Sequence, residues 1–341
     1  MRGGNRENVG MTKVAVITGA GAGVGRATVE EFAKAGYDVA LLSRDPDRLE
    51  RAAYEARRHG VRALPIPTDV ADFDAVAAAG ARTEHELGPI DVWVNVAFAT
   101  VFAPVKHITA AEALRATQVT YLGQVHGMMV ALKHMTPRNR GAIVNVGSAL
   151  AYRSVPLQAV YCGAKSAIRG FTDSLRSELI HDKLDINLTV VDLPAVNTPQ
   201  FDWAENKMGY KARPVAPIFE PEVPARAILF AATHNRREIW LGWPTVKAIW
   251  ANRIAPAYAD RKLATMGYSG QITDTPLPKD PPANLFKPVK GDYGARGRFS
   301  SQSRTGSWEM FTDRHRDALY AGAALALGIT ALHQLAKKYR F

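Results

Sequence analysis

The run Val14-Ala-Val-Ile-Thr18 breaks into Gly19-Ala-Gly21-Ala-Gly23-Val-Gly25 and passes at once into a helix-compatible stretch, residues 27–35. A short apolar run reads as a buried strand, and glycines at its end let the chain turn sharply into a helix. Glycines also let backbone approach a ligand, and the amides at a helix N-terminus suit a pyrophosphate. Alone, the pattern fits a ligand-free strand-to-helix turn equally well. Its place at the head of a long alternation decides for a dinucleotide.

That alternation continues through the chain. Residues 37–43, 63–67 and 91–94 read as strands, with helices expected over 46–59 and 71–87. A single long helix is expected over 110–135, a strand over 142–147 and a helix over 159–181. Strands at 186–191 and 238–241 complete the set. Strands alternating with helices predict an α/β fold: a doubly wound, Rossmann-like parallel sheet with helices on both faces. Ligands in such sheets bind beyond the carboxyl ends of the strands, where the motifs fall.

Tyr161-Cys-Gly-Ala-Lys165 begins thirteen residues after Ser148. Residues four apart share a helical face, so the ammonium can lie beside the phenol. A phenol with a pKa near ~10 exchanges protons poorly at neutral pH, and a nearby cation lowers it. Ser148, at a strand end, can bond the same substrate oxygen. A Tyr–Lys pair also arises by chance on amphipathic helices, and the glycine loop in the same domain is what raises its weight.

With these motifs in this order, the chain resembles the short-chain dehydrogenase/reductase family over residues 12–242. The resemblance implies a cofactor loop at Thr18, Gly19, Gly23, Val24 and Gly25, adenine contacts at Asp69 and Val70, and a post-strand turn at Asn95 and Ala97. It implies a nicotinamide clamp at Val196 and Thr198. It also implies hydride transfer between a nicotinamide and a carbonyl or alcohol carbon. Tyr161 is then the general acid or base, Lys165 holds the ribose and lowers the phenol pKa, and Ser148 orients the substrate oxygen. Three departures stand out. Thr120 occupies the family's catalytic asparagine position, Phe98 replaces a glycine, and Leu193-Pro194-Ala195 replaces the usual Pro-Gly.

Cofactor choice turns on the end of the second strand. An acid there binds the ribose hydroxyls of NAD, whereas this chain has Ser43 followed by Arg44, a charge suited to a 2′-phosphate. NADP (NADPH) is favoured over NAD, although Ala22 stands where many NADP-preferring relatives carry a basic residue. Residues 199–221 carry Phe201, Trp203, Met208, Tyr210 and Phe219. These serve as an apolar substrate lid or as core anchors, and the lid reading points to a lipophilic carbonyl or alcohol. No metal is expected.

Four segments follow: a disordered N-terminus (1–10), the dinucleotide-binding domain (11–245), a basic Pro/Gly-rich extension (246–312) and an apolar C-terminal helix (313–341). From Val246 onward the chain has 15 Lys and Arg against 7 Asp and Glu, so +8 of the net +11 lies there. No nucleic-acid module accompanies that charge, and a solvated, chain-wrapping extension is expected. Residues 318–336 contain no Asp, Glu, Lys or Arg, close to the ~20 residues of a bilayer span. Alanine, glycine, His333 and Gln334 weaken that reading, leaving a packing helix or a membrane contact. The single cysteine, Cys162, excludes an internal disulfide and fits a reducing, cytoplasmic compartment. A homo-oligomer is expected. Two function classes stand: an active NADP-dependent oxidoreductase, and an NADP-binding regulatory or scaffold protein with little turnover.

Overall fold

All five residues of β1 (Val14–Thr18) are buried, because strands flank both its edges and helices cover both its faces. In this computed structural model, which describes residues 12–308, 310 and 312, Ala15 and Ile17 point into one core and Val14 and Val16 into the other. The first core gathers Phe32 of α1 (Gly23–Lys34), Leu49 of α2 (Pro46–Arg57) and Ile228 of α7 (Glu222–Thr233). The second gathers Val76 of α3 (Phe73–Glu86), Met128 of α5 (Gly123–Met135) and Leu175 of α6 (Ala159–His181). This two-sided burial explains why the strands read as continuous apolar runs rather than alternating ones.

β1 pairs with β2 (Asp38–Ser43), which pairs with β3 (Ala63–Pro67); on its other edge β1 pairs with β4 (Ile90–Asn95). Beyond β4 lie β5 (Gly141–Ser148), β6 (Ile186–Leu193) and β7 (Glu238–Trp240), all parallel. The order β7-β6-β5-β4-β1-β2-β3 reverses direction between β1 and β4. That reversal opens a crevice at the carboxyl ends of β1 and β4, where doubly wound sheets bind ligands.

Several helices differ from expectation, α7 among them, which no sequence reading marked. The helix expected over 110–135 is α4 (Ala110–Thr117) and α5, joined by a widened π turn at Gln118–Leu122. Such turns cluster at functional sites, and this one carries Thr120. Beyond β7, α8 (Trp243–Ile254) and α9 (Pro256–Ser269) occupy chain that carries no helical apolar stripe. Their sole buried residues are Thr245, Ile249 and Gly267, so periodicity was never there to read, although each has proline in its first turn.

The extension is not merely solvated. Ile272–Pro276 pairs antiparallel with Tyr210–Ala212, and Ser303–Arg304 pairs parallel with Ile218–Phe219. Leu285 and Phe299 are buried. Burial of apolar side chains, invisible in a Pro- and Gly-rich composition, is what holds this segment down. Among the described residues no helix is long and apolar enough to cross a membrane, and the run 318–336 lies outside them.

Candidate active site

The glycine loop is built so that side chains cannot enter it. Gly19 has φ +69°, and a Cβ there would sit 2.9 Å from Ala97 Cα; one on Gly25 would overlap the Gly19 carbonyl. α1 starts beside this loop with no side-chain cap and no acid in its first turn, leaving its amide end to face the crevice. Thr18 is buried, and its hydroxyl accepts from the Val96 and Ala97 amides at 3.0 and 3.2 Å. It therefore ties the loop to the turn after β4. Asn95 is fully buried: its amide group accepts from Trp93 Nε1 and donates to Asn145 Oδ1, both at 2.9 Å. Its side chain supports the turn from beneath, while Ala97 and Phe98 line the crevice.

A cleft of about 160 Å³ remains between the loop and the far wall, lined by Gly23, Val24, Ser43, Asp69, Val70 and Thr198 among others. Asp69 Oδ1 accepts from the Ala71 amide at 3.0 Å and its other oxygen pairs with Arg115. Val196 and Thr198 are buried, with the Thr198 methyl 3.3 Å from where a Gly23 Cβ would stand. Both expected ends of a dinucleotide site thus lie on one crevice.

The extension crosses its rim. Arg44 donates to the Leu285 and Phe286 carbonyls at 3.2 Å and to that of Asn284, and Arg48 donates to the Val289 carbonyl. The Gly23 amide donates to Gly294 O at 3.1 Å, and Arg26 pairs with Asp292 at 2.5 Å. Trp203 meets Tyr293 edge-on with centroids 4.5 Å apart, under the Arg48 guanidinium. Asn197 fastens the next turn, donating to Ser300 Oγ and Glu220 and accepting from the Phe299 amide. We call residues 284–304 the strap. None of these partners was legible beforehand, since the strap residues lie far in sequence from the residues they meet, and Arg44, Arg48 and Gly23 meet them through backbone carbonyls.

Of the aromatics in 199–221, Trp203 and Phe219 are buried anchors while Tyr210 is exposed. Phe201 packs between Phe102 and Phe299.

Ser148 ends β5, and its Oγ accepts from the Leu150 amide at 3.1 Å. Tyr161, in the first turn of α6, sets its phenol beside Ser148. Lys165, one helical turn on, is 1% exposed and donates to Val146 O at 2.6 Å. Its Nζ lies 5.6 Å from the Tyr161 ring centre and 5.9 Å from that of Phe98, whose ring meets Tyr161 edge-on. Burial pushes the Lys165 ammonium down to about 7, against the opposing pull of Asp192. The Tyr161 phenol is raised rather than lowered, because burial outweighs the lowering by neighbouring Ser148, and Cys162 and Asp192 push the same way as burial. That departs from the expectation of a depressed phenol: desolvation of the phenol itself outweighs what lowers it.

Thr120 is also differently engaged. It is fully buried, donates to Ala99 O at 2.8 Å and accepts from Ala99 N at 2.9 Å. Its one proton closes the turn beside Phe98. Sequence reasoning passed over Asp192, Tyr152 and Glu238, which adjoin this site; an acid inside the apolar run of β6 was the available signal.

The family described as short chain dehydrogenase matches residues 13–208. This chain belongs to that family. As a short-chain dehydrogenase it is an oxidoreductase that uses a nicotinamide cofactor on CH–OH and C=O groups. It is 30% identical over 266 residues to an uncharacterised oxidoreductase, YxnA, of Bacillus subtilis, covering 77% of this chain and 75% of that one. The fatty acyl-CoA reductase of Acinetobacter baylyi is 29% identical over 69% of this chain and 77% of its own length. Among solved structures, an alcohol dehydrogenase of the archaeon Thermococcus sibiricus, complexed with 5-hydroxy-NADP, superposes with TM-score 0.58 at 26% identity. The match covers 67% of this short-chain dehydrogenase and 94% of that chain.

Proposed function

We propose that this short-chain dehydrogenase interconverts a lipophilic carbonyl and its alcohol, prefers NADP, and uses Tyr161 as general acid and base. One observation carries the reading: Tyr161 stands beside Ser148 at the end of β5, with the buried Lys165 Nζ 5.6 Å from its ring centre and the cofactor crevice alongside. The glycine cradle fits a dinucleotide, since a Cβ on Gly19 or Gly25 would close it. When bound, the nicotinamide supplies or accepts the hydride. Ser148 and Tyr161 hold the substrate oxygen between them. In reduction Tyr161 donates its proton to that oxygen, and in oxidation it takes the proton back. A phenol raised by burial stays protonated at neutral pH and so is loaded for reduction.

The NADP preference is supported by Ser43 and Arg44, with Ser43 rather than an acid at the end of β2. Phe98 beside Tyr161, with Val119 and Trp203 in the crevice wall, favours an apolar substrate. The acyl-CoA reductase relative points the same way. Self-association is supported by Trp243, Trp250, Ile254 and Tyr258, which α8 and α9 leave exposed.

The deciding experiment follows NADPH oxidation across a panel of medium-chain aldehydes and ketones, with Tyr161→Phe as control. Turnover is expected in the wild type and its loss in the variant, with nucleotide binding retained. Full turnover by Tyr161→Phe overturns the assignment. Nucleotide binding with no turnover on any member favours the second reading, a regulatory or scaffold protein. The strap on Arg44 and Gly23 and the engaged Thr120 are what support that alternative.

A further inference from the structure

Asp192, one residue from the end of β6, is 1% exposed. Its Oδ1 accepts from the Ser148 amide at 3.0 Å, and its Oδ2 lies 3.3 Å from the Tyr152 hydroxyl. The same hydroxyl lies 3.0 Å from Glu238 Oε2, which also accepts from Trp240 Nε1 at 3.0 Å. A phenol has one proton. It can donate to one of these carboxylates and not to both. A second proton on one carboxyl, donated to the phenol oxygen, would satisfy both contacts.

Burial decides which carboxyl holds it. Glu238 is half-buried at the sheet edge, whereas Asp192 is shut in, and an ion costs most where water is absent. Desolvation first, and the charge of Glu238 second, push the Asp192 carboxyl up to about 7. Room for it is reserved, since a Cβ on Gly147 would overlap Asp192 Oδ1. Facing Asp192 from α6 are Lys165, whose ammonium it favours, and Tyr161, whose phenol it raises. From β7 it faces Glu238, and from the segment after β5 it faces Tyr152. Arg169 of α6 lies 4.4 Å from the Tyr152 ring centre. Tyr152 also lines a surface hollow of about 460 Å³ with Ser154, Asn252 and Asp260, so the trio reaches solvent.

We propose that Asp192 is a positioning residue of the reaction: it exchanges its proton with solvent through Tyr152 and Glu238, and its charge decides whether Lys165 remains an ammonium beside Tyr161. The inference rests on the roles given above to Tyr161 and Lys165. On ionisation the Asp192 proton passes to the Tyr152 oxygen as that hydroxyl passes its own to Glu238, which releases it to water. Only protons move. This supplies an exchange route on the β6–β7 side of the site, away from Thr120.

Infrared difference spectroscopy of the protein without nucleotide tests the carboxyl directly. A protonated-carboxyl band should titrate near pH 7 in the wild type and vanish in Asp192→Asn. Asparagine keeps an oxygen for the Ser148 amide. Tyr152→Phe should keep the band and slow its exchange into D2O. In Asp192→Asn the Lys165-dependent limb of kcat should move to lower pH by about one unit, tenfold in proton concentration. The same displacement is expected in the pH dependence of NADPH binding. A band that survives Asp192→Asn, exchange unaltered in Tyr152→Phe, or both pH profiles unmoved would each overturn the proposal. A wild type without turnover defeats the oxidoreductase reading alone, and the infrared and binding titrations then still decide the role of Asp192.

Discussion

Arg44 is a single guanidinium with two kinds of neighbour. The sequence offers it to a 2′-phosphate, and the fold sets it against three strap carbonyls. Carbonyls solvate a cation without cancelling its charge, so its attraction for phosphate persists. Arg44→Ala should therefore weaken NADPH by about 1.5–3 kcal/mol and NADH far less, read by isothermal titration with each cofactor. Equal losses would remove the NADP preference. Thr120 carries a different expectation. Because its hydroxyl serves both polar groups of Ala99, Thr120→Val should cost about 1–3 kcal/mol in urea denaturation by leaving that amide unpaired. Tyr161, Lys165 and Ser148 were legible as a set because their spacing encodes geometry on one helix and one strand end. The ionisation of Lys165 was not, since it depends on Val146 and Asp192 across the sheet.

At the scale of elements, continuous apolar runs marked the strands because they are buried on both faces, and α1, α2, α3 and α6 were marked because each buries one face in a core. α8 and α9 bury almost nothing, and the π turn leaves no mark on hydrophobic spacing. Close packing of α5 on the sheet gives a stability prediction. A Cβ on Gly127 would overlap Asn95 Oδ1, so Gly127→Ala should destabilise by about 1–3 kcal/mol in urea melts. β6 and α6 give one in pH. Asp192 is raised from 3.8 to about 7, so its protonated form contributes stability below 3.8 that is lost as pH climbs through 7. Lys165 is lowered from 10.5 to about 7, so its contribution is present above 10.5 and is lost as pH falls through 7. The pair thus helps least near neutrality. Asp192→Asn removes the first of these terms, so its melting temperature should gain on the wild type between pH 3.8 and 7. A constant gap across that window would contradict the buried carboxyl.

On the scale of the whole molecule, the strap makes the cofactor crevice a composite of chain ends. Removing residue 284 onward should uncover the seat of Leu285 and free Arg44 and the Gly23 amide. NADPH release should then quicken, measured by stopped-flow fluorescence; unchanged release would mean the strap does not restrain the nucleotide. The doubly wound core could be anticipated from alternation alone, but this crossing could not, because its polar contacts span separations of 241 residues for Arg44 to Leu285 and 266 for Arg26 to Asp292. Such separations are also a clock. Contacts that close the longest loops form late, and the strap is translated after every strand of the main sheet. On the ribosome, the glycine cradle and Tyr161 can therefore be in place while the crevice still stands open along its rim. If the strap restrains the nucleotide as predicted, a nascent chain has a period in which nucleotide enters without displacing anything, whereas a finished chain has to lift its own backbone to exchange it.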